Sequence, residues 1–342
     1  MSGGTCVILG SAESSADVVV CGGGPAGSAA AATLARLGLD VLLLTGAARR
    51  NPWVETVPIE LGALLPALGL PATSLLQVGQ RCCWDDERRT ALHLDRTMFD
   101  GLLRRAVAAA GARSWAGQAA ERVMRDGARI AGLTTVSGLT VRARAVVDAS
   151  GMRGWLRRRL ALADRRLSPP MVAWRGQVAG LPAGLGDCRA RFSPFAEGWL
   201  HLATSRGRTT WTRLQGDRRV GEPPAELAHL PMIVPPRACD VSWRLARPVA
   251  GPGWLLAGDA GGRLDPGWGQ GLLFAVISGL AAARTAAACL AAPTQEAMHL
   301  SAYDGWFTDR IFDGAATLRR RYAGSGIRLP SEDEAGPVRI PA

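Results

Sequence analysis

The chain has 342 residues, of which 48% are hydrophobic and 20% are charged, and this balance excludes a disordered chain. Its 40 basic residues, all of them arginine, outnumber 29 acidic residues and give a formal net charge of +11. Because the arginines are scattered and form no stripe interleaved with aromatic residues, no nucleic-acid partner is predicted. The seven cysteines form no C-x-x-C pair, so no disulfide framework and no metal site are predicted. With no signal-peptide pattern at the N-terminus, this cysteine usage favours a cytoplasmic location.

The predicted elements begin with a strand, a glycine-rich turn and a helix. Residues 17–21 form a short apolar run typical of a buried strand, and the alanine-rich stretch 25–37 predicts a helix. A second apolar run over 40–45 predicts another strand. This strand–helix–strand order is the start of a βαβ unit, which predicts an α/β fold.

The next part of the chain mixes helices with short strands. Its predicted elements are a loop over 49–58, a helix over 60–68, a strand over 92–95, a helix over 96–110, an antiparallel ribbon over 112–141 and a buried strand over 145–150. Alternating strands are then predicted over 171–178, 190–192, 199–203, 209–214 and 241–245.

The C-terminal part is dominated by one long apolar stretch. A strand over 254–256 precedes a helix over 271–292, and a last helix is predicted over 301–322. The first of these helices has the length of a membrane span, but it is mostly alanine and glycine and carries Arg284 near its middle. We therefore predict a buried core helix and no membrane span.

The turn after the first strand has the spacing G-x-G-x-x-G, with Gly22, Gly24 and Gly27. Gly22 permits the tight turn, Gly24 lets the backbone approach a pyrophosphate, and Gly27 lets helix and strand pack closely. Pro25 occupies the first helical position, where its missing N–H costs nothing, and Ala26 follows it. Free N–H groups at the helix N-terminus would face the phosphates, so this turn predicts a dinucleotide site.

The end of the second predicted strand departs from the usual dinucleotide-binding pattern. An acidic residue normally holds a ribose hydroxyl there, and Thr45 stands in its place. Loss of a charge-assisted hydrogen bond costs on the order of 1 kcal/mol, or about a fivefold weaker dissociation constant. The alternative is a 2′-phosphate held by Arg49 or Arg50, which the second motif disfavours.

The second motif runs from Gly258 to Gly271 and reads GDAGGRLDPGWGQG. It resembles the second FAD signature of the superfamily that holds the aromatic-hydroxylase flavoproteins, the geranylgeranyl reductases and the flavin-dependent halogenases. The resemblance implies that Asp259 binds the ribityl chain or a phosphate-bridging water, and that the backbone after Pro266 faces the pyrimidine edge of the flavin. The residues implied at that edge are Gly269, Gln270 and Gly271. Free N–H groups at a helix N-terminus stabilise the negative charge of a reduced flavin.

Three shorter matches extend the same resemblance. Glu55 and Thr56 resemble the superfamily's G-E-S/T-x-P loop near the isoalloxazine, with Val54 in place of its glycine. Arg96 lies in a match to the R-x-x-F-D helix start, where the arginine approaches the cofactor. Residues 147–151 match the D-A-T/S-G segment that closes the FAD domain.

The sheet-rich region carries the residues expected to decide the chemistry. Its Trp199 and His201 align with the halogenase block W-x-W-x-I-P, of which only Trp199 remains, and the chain lacks the lysine that halogenases require. The segment more closely resembles the monooxygenases that mature tryptophylquinone cofactors. Trp199 and His201 are two apart on a strand and share a face. We predict both as catalytic residues, with His201 as the candidate general base, while a packing role for His201 stays open.

Taken together, the motifs predict a Rossmann-like FAD-binding domain assembled from residues 15–165 and 250–323. A sheet-rich substrate domain of residues 166–249 is inserted in it, and residues 324–342 form a flexible tail. The predicted activity is hydroxylation of an aromatic or indole-like substrate, including a tryptophan of a partner protein, through a flavin C4a-hydroperoxide. Reduced flavin would come from NAD(P)H directly or through a partner flavin reductase. The alternatives are a reductase or dehydrogenase of the geranylgeranyl-reductase type and a degenerate flavin-binding protein.

Overall fold

The computed structural model describes residues 13–46, 52–71, 77–82, 88–183, 185, 187–215 and 222–328. Arg49, Arg50 and residues 329–342 of the predicted tail lie outside these ranges. The helices are α1 (Pro25–Arg36), α2 (Glu60–Leu64), α3 (Arg96–Ala109), α4 (Trp155–Arg159), α5 (Gly271–Ala291) and α6 (Glu296–Gly324).

The strands fall into three sheets. Those before the sheet-rich region are β1 (Glu13–Cys21), β2 (Val41–Thr45), β3 (Val54–Pro58), β4 (Gln77–Cys82), β5 (Arg88–Asp95), β6 (Arg113–Ala116), β7 (Ala120–Asp126), β8 (Arg129–Thr135) and β9 (Thr140–Asp148). The later ones are β10 (Ala163–Arg166), β11 (Val172–Ala179), β12 (Cys188–Phe195), β13 (Gly198–Ser205), β14 (Arg208–Gln215), β15 (Met232–Asp240), β16 (Arg244–Arg247), β17 (Ala250–Gly251), β18 (Trp254–Leu256) and β19 (Gly262–Arg263).

The first sheet has a parallel centre in the order β18-β9-β1-β2-β6. Its central strand β1 is buried on both faces, with Val18, Val19 and Val20 fully inaccessible, which is the pattern of a parallel sheet covered by helices. Helices α1 and α5 pack tightly together, since a Cβ at Gly279 would lie 2.1 Å from the Ala26 carbonyl oxygen. The predicted α/β fold with a Rossmann-like domain is confirmed.

The second sheet has the strand order β15-β11-β14-β13-β12-β4-β5-β3. The predicted insert of residues 166–249 supplies its first five strands. The other three come from residues 54–95, which the sequence assigned to the FAD-binding domain, so this sheet draws on both predicted domains. A small third sheet, β10-β16-β19, lies where the chain enters and leaves the insert.

Several predicted elements differ from the observed ones. The predicted loop over 49–58 contains β3, and β6 pairs in parallel with β2 rather than in the ribbon. The predicted strand over 241–245 is observed only at its end, as the start of β16 at Arg244, because the Asp240 side chain accepts a hydrogen bond from the Ser242 N–H (2.9 Å) in the turn between β15 and β16. The predicted helix over 60–68 stops at Leu64 and continues as a 3₁₀ turn from Pro66, which has no N–H for the helical ladder.

Helix α5 is long and apolar enough to cross a membrane, with a mean hydropathy of 1.8 over its best window, and 61% of that window is buried within the protein. Among the described residues it is the one helix with this property. Its close contact with α1 at Gly279 accounts for the small apolar residues on that side.

Candidate functional site

The glycine-rich turn between β1 and α1 combines tight packing with one open position. Gly22 has φ +114°, and a Cβ there would lie 2.3 Å from the Ala149 carbonyl oxygen. A Cβ at Gly27 would lie 1.8 Å from the Gly22 oxygen. A Cβ at Gly24, in contrast, would meet no described atom within 4 Å. Two of the glycines are therefore required by the fold, and Gly24 leaves room for a ligand.

The N-terminus of α1 has free hydrogen-bonding capacity. Its N-cap is Gly24, Pro25 stands in the first turn, and the described residues supply neither a side-chain cap nor an acid in that turn. Ala26 packs against the Gly258 loop, where a Cβ would lie 3.0 Å from the Ala26 Cβ. The positive end of the helix dipole is thus presented without a protein anion to neutralise it, which fits a pyrophosphate.

Thr45 ends β2 beside this turn. Its hydroxyl donates a 3.4 Å hydrogen bond to the Trp115 carbonyl oxygen, and its methyl carbon lies 2.5 Å from where a Cβ of Gly23 would stand. The donor capacity of Thr45 is therefore used within the protein, and only its lone pairs remain for a ribose hydroxyl.

We expect Thr45→Glu to tighten FAD binding about fivefold, because it restores a charge-assisted bond to the ribose. Thr45→Val, which keeps the shape and removes the hydroxyl, is the control. The measurement is titration of apoprotein with FAD by flavin fluorescence. Equal dissociation constants for the Glu and Val variants would mean that the ribose does not lie at this strand end.

Asp259 stands in a 3₁₀ turn, Gly258–Ala260, that follows β18. Its side chain is exposed and has no hydrogen-bond partner in the described part of the chain. Surrounding protein nevertheless raises the pKa of its carboxyl by desolvation, against the opposing effect of Arg263. Because the side chain is exposed, it remains accessible to a bound cofactor.

The loop between Asp265 and α5 is held by a buried hydrogen-bond network that sequence reasoning missed. The Asp265 carboxylate accepts bonds from the Gly267 N–H (2.7 Å), the Trp243 indole N–H (2.6 Å) and the Tyr322 hydroxyl (3.1 Å). Burial raises the pKa of Asp265 to about 6, although these three donors oppose the shift. The side-chain donors lie 22 and 57 residues away along the chain, so no local pattern could reveal them.

This network fixes the turn that leads into α5. Pro266 starts a short 3₁₀ helix, Gly269 has φ +70°, and Gln270 caps α5 without a side-chain hydrogen bond from the described residues. A Cβ at Gly271 would meet nothing described within 4 Å, and one at Gly269 would lie 3.5 Å from Nη1 of Arg81. The N-terminus of α5 is therefore open, with a guanidinium beside it, as expected for a helix end that faces the pyrimidine edge of a flavin.

Glu55 and Thr56 are neighbours on β3 and point in opposite directions. The Glu55 carboxylate binds Arg96 (3.0 Å) and Arg175 (3.5 Å), whereas the Thr56 hydroxyl bonds Nδ1 of His93 (3.1 Å). Burial would raise the pKa of Glu55, but the two guanidinium groups outweigh it and hold the pKa below its ordinary value.

Arg96 begins α3 and also binds Asp100 (2.9 Å). The predicted cofactor contacts of Glu55, Thr56 and Arg96 stay predictions, and the three side chains are already tied to protein groups.

Trp199 and His201 share a face of β13 as predicted, but they have different surroundings. Trp199 is 0% exposed, and its indole N–H donates to the Tyr322 hydroxyl (2.8 Å). With no surface open to a cleft, Trp199 packs the core and cannot touch a substrate, which contradicts its predicted catalytic role.

His201 is half-buried, next to Phe192 at 6.2 Å between ring centroids. Burial, followed by Arg175 and Arg81, lowers the pKa of His201 to about 3. A neutral imidazole of this kind accepts hydrogen bonds but is too weak a base to hold a proton near neutral pH. Its predicted role as a general base is therefore unfavourable.

The residues present fit FAD. The open space at Gly24 and the uncapped α1 suit a pyrophosphate, Asp259 is an exposed carboxyl in the turn that packs against Ala26, and the free N-terminus of α5 suits the flavin ring.

Comparison with known proteins agrees with this fit. Residues 83–168 match the tryptophan halogenase family, and residues 17–78 match the family of glucose inhibited division protein A. Menaquinone reductase of Mycobacterium tuberculosis strain H37Rv is 29% identical over 323 residues, which cover 80% of this chain and 77% of that protein. Tryptophan 2-halogenase of Chondromyces crocatus is 25% identical over 328 residues, which cover 81% of this chain and 62% of the halogenase.

Solved structures share the fold at lower sequence identity. The flavin-dependent brominase Bmp2 superposes with a TM-score of 0.75 at 18% identity, covering 94% of this chain and 96% of the brominase. The peptidyl tryptophan dihydroxylase QhpG superposes with a TM-score of 0.71 at 24% identity, covering 93% and 76%. The fold, the two motifs and these matches make the chain similar to the FAD-dependent monooxygenase superfamily, a group of FAD-dependent oxidoreductases that includes halogenases, monooxygenases and reductases.

Proposed function

We propose that the protein is an FAD-dependent monooxygenase that hydroxylates an aromatic or indole-like substrate. Bound FAD, once reduced by NAD(P)H or by a partner flavin reductase, supplies the electrons with which one atom of dioxygen enters the substrate and the other leaves as water. A tryptophan of a partner protein belongs to this substrate class, and the likeness to a peptidyl tryptophan dihydroxylase supports it.

The observation that carries this proposal is a neutral imidazole flanked by cations on one face of the second sheet. His201 accepts a hydrogen bond from an indole N–H or a phenol O–H, because its nitrogen is not protonated near neutral pH. Arg175 and Arg81 favour negative charge at the same place. The hydrogen bond accepted from the substrate increases the electron density of its ring, which electrophilic hydroxylation requires, and the cations stabilise negative charge that develops on the substrate.

The remaining surroundings suit a flat apolar ring. Phe192 lies beside His201 on the adjacent strand and is 8% exposed, so the site face offers an aromatic surface next to the polar groups. Pro52 lies over the same face, since its carbonyl oxygen accepts a hydrogen bond from the Gln177 amide (2.8 Å). Together these groups position the ring and exclude water from it.

A second candidate is reduction of a quinone or an alkene. Menaquinone reductase and, at 25% identity over 329 residues, digeranylgeranylglycerophospholipid reductase of Methanocella arvoryzae are both similar to this chain. Alkene reduction needs a proton donor besides a hydride. Among the described residues, the titratable groups on the site face are a neutral imidazole, two guanidinium groups and a Glu55 carboxylate whose pKa is lowered, and none of these holds a readily donated proton near neutral pH.

The test uses FAD-loaded protein, a reductant and isotopically heavy dioxygen. The substrates are indole, phenol, a tryptophan-containing peptide, menaquinone and a prenyl alkene. We expect heavy oxygen in a hydroxylated aromatic product. Anaerobic oxidation of the reduced protein by menaquinone or the alkene, with no oxygen in any aromatic product, would favour reduction instead. Protein that gains no flavin spectrum with added FAD would contradict both enzymatic functions and favour a degenerate protein.

A further inference from the structure

Two arginines face the proposed substrate position together with His201. Arg175 on β11, Thr212 on β14, His201 on β13 and Phe192 on β12 stand directly opposite one another across the sheet, so their side chains share one face. Arg81 on β4 pairs with Ala190, which shares the face of Phe192. We name Arg81, Arg175 and His201 the cationic wall.

The two guanidinium groups of the cationic wall have unused donors. Nε of Arg175 and Nε of Arg81 are buried and have no hydrogen-bond partner in the described part of the chain. A buried donor without an acceptor carries a free-energy cost. Such a cost at two neighbouring positions, on a face that carries the proposed substrate site, indicates donors that are kept for a ligand.

The acids near the cationic wall do not satisfy it. Glu55 is the carboxylate in contact with Arg175, at 3.5 Å, and it makes its shorter bond of 3.0 Å to Arg96. Burial lowers the pKa of Arg175 in spite of Glu55, so the charge of Arg175 is incompletely compensated. An additional anion would relieve this imbalance.

The cationic wall is separate from the predicted phosphate position. Phosphates are expected at Gly24 and the N-terminus of α1, whereas Arg81 lies at Gly269, by the N-terminus of α5. The ligand of the wall therefore lies at the flavin-ring end of the site, where the substrate of the proposed reaction would be.

We propose that Arg175 and Arg81 bind a carboxylate carried by the aromatic substrate, so that the preferred substrates are acidic. This inference rests on the proposed function, because that function makes the bound aromatic acid a substrate. Binding of the carboxylate to the two arginines does not depend on turnover. The carboxylate belongs to a small aromatic acid or to an acidic residue next to a tryptophan in a peptide. In both cases guanidinium forks donate paired hydrogen bonds to it.

The test measures binding to the oxidised, FAD-loaded protein by the change in flavin absorbance. The probes are indole-3-acetate against indole-3-acetamide, and the blocked peptides acetyl-Trp-Glu-amide against acetyl-Trp-Gln-amide. We expect the acid of at least one pair to bind about tenfold more tightly than its amide, since a charge-assisted bond contributes about 1.4 kcal/mol or more. The pair that discriminates identifies the source of the carboxylate.

Arg175→Gln is expected to weaken binding of the acid about tenfold more than binding of the amide and so remove this discrimination, while Arg175→Lys retains part of it. Arg213→Gln is the matched control, because Arg213 is the strand neighbour of Thr212 and points to the opposite face of the sheet. Retained FAD absorbance and circular dichroism establish that each variant is folded. If an Arg175 variant does not fold, Arg81→Gln is measured in its place. We expect Arg81→Gln to lose the same discrimination between acid and amide.

Equal binding of acid and amide to the unaltered protein would overturn the inference, as would equal weakening of both by Arg175→Gln. Displacement of the bound acid by chloride, at chloride concentrations equal to those of the acid, would also overturn it. The cationic wall would then be a site for inorganic anions. Discrimination in binding without oxygen incorporation would uphold the subsite and contradict only the proposed function.

Discussion

Gly24→Ala is expected to fold normally and to bind FAD about tenfold to a hundredfold more weakly. An alanine methyl at this position meets no described protein atom within 4 Å, and φ −79° suits any residue. The methyl instead occupies the space where the backbone approaches the pyrophosphate, and it disrupts one or two charge-assisted hydrogen bonds of about 1.5–3 kcal/mol each. The measurement is FAD titration together with thermal unfolding of the apoprotein.

Gly27→Ala is expected to behave in the opposite way, with a loss of about 3 kcal/mol in the free energy of unfolding of the apoprotein. Its Cβ would stand 1.8 Å from the Gly22 oxygen and 3.2 Å from the Ala149 Cβ, and a backbone atom cannot move aside as a flexible side chain can. Gly305→Ala is the control, because its Cβ would meet nothing described within 4 Å on an exposed position of α6. We expect that control to stabilise the helix by about 1 kcal/mol.

Wild-type FAD affinity in Gly24→Ala would show that the pyrophosphate does not lie at this turn.

Asp265→Ala is expected to lower the free energy of unfolding by about 4 kcal/mol, because it removes the acceptor shared by three buried donors. These donors are the Gly267 N–H, the Trp243 indole N–H and the Tyr322 hydroxyl. Asp265→Asn keeps the shape and one acceptor oxygen and is expected to lose less. Urea unfolding of the apoproteins measures both variants, and a loss below that of an ordinary surface substitution would contradict the role of the network.

The same residue makes stability depend on pH. Burial raises the pKa of Asp265 to about 6 in the folded protein, from an ordinary value of 3.8. Between these values the folded protein holds a proton that the unfolded chain has released. This contribution to stability is complete below about pH 4 and is lost as the pH rises through about 6. Relative to Asp265→Asn, the unaltered protein should therefore gain stability on acidification across this window, and no change in that difference would contradict the shift.

Tyr322 connects the network to the second sheet. Its hydroxyl donates to Asp265 and accepts from the indole N–H of Trp199, so the loop before α5 and the second sheet share one buried chain of hydrogen bonds. Such a connection holds the two halves of the site in one geometry. It also explains why a tryptophan that resembles a catalytic motif is found in the core.

The Gly22–Gly27 turn, its βαβ context and the Asp259–Gly271 motif were readable from the sequence, because each depends on a few residues that are close together in the chain. Packing of Gly22 and Gly27 against backbone atoms is a local property of a strand–turn–helix, and φ-positive positions such as Gly269 favour glycine. The α/β fold and the buried position of α5 followed from apolar periodicity and composition for the same reason.

Only the tertiary structure decided which residues meet at the site. The second sheet joins β3, β4 and β5 to strands more than a hundred residues later, and this pairing brings Arg81 and Arg175 to the same face as His201. The surroundings of His201 lower its pKa to about 3, and the Tyr322 bond assigns Trp199 to the core. Protonation and burial depend on every group that is near in space, and sequence separation carries no information about that distance. The chain by itself therefore predicted where FAD would bind, and its folding determined which side chains surround the proposed substrate position.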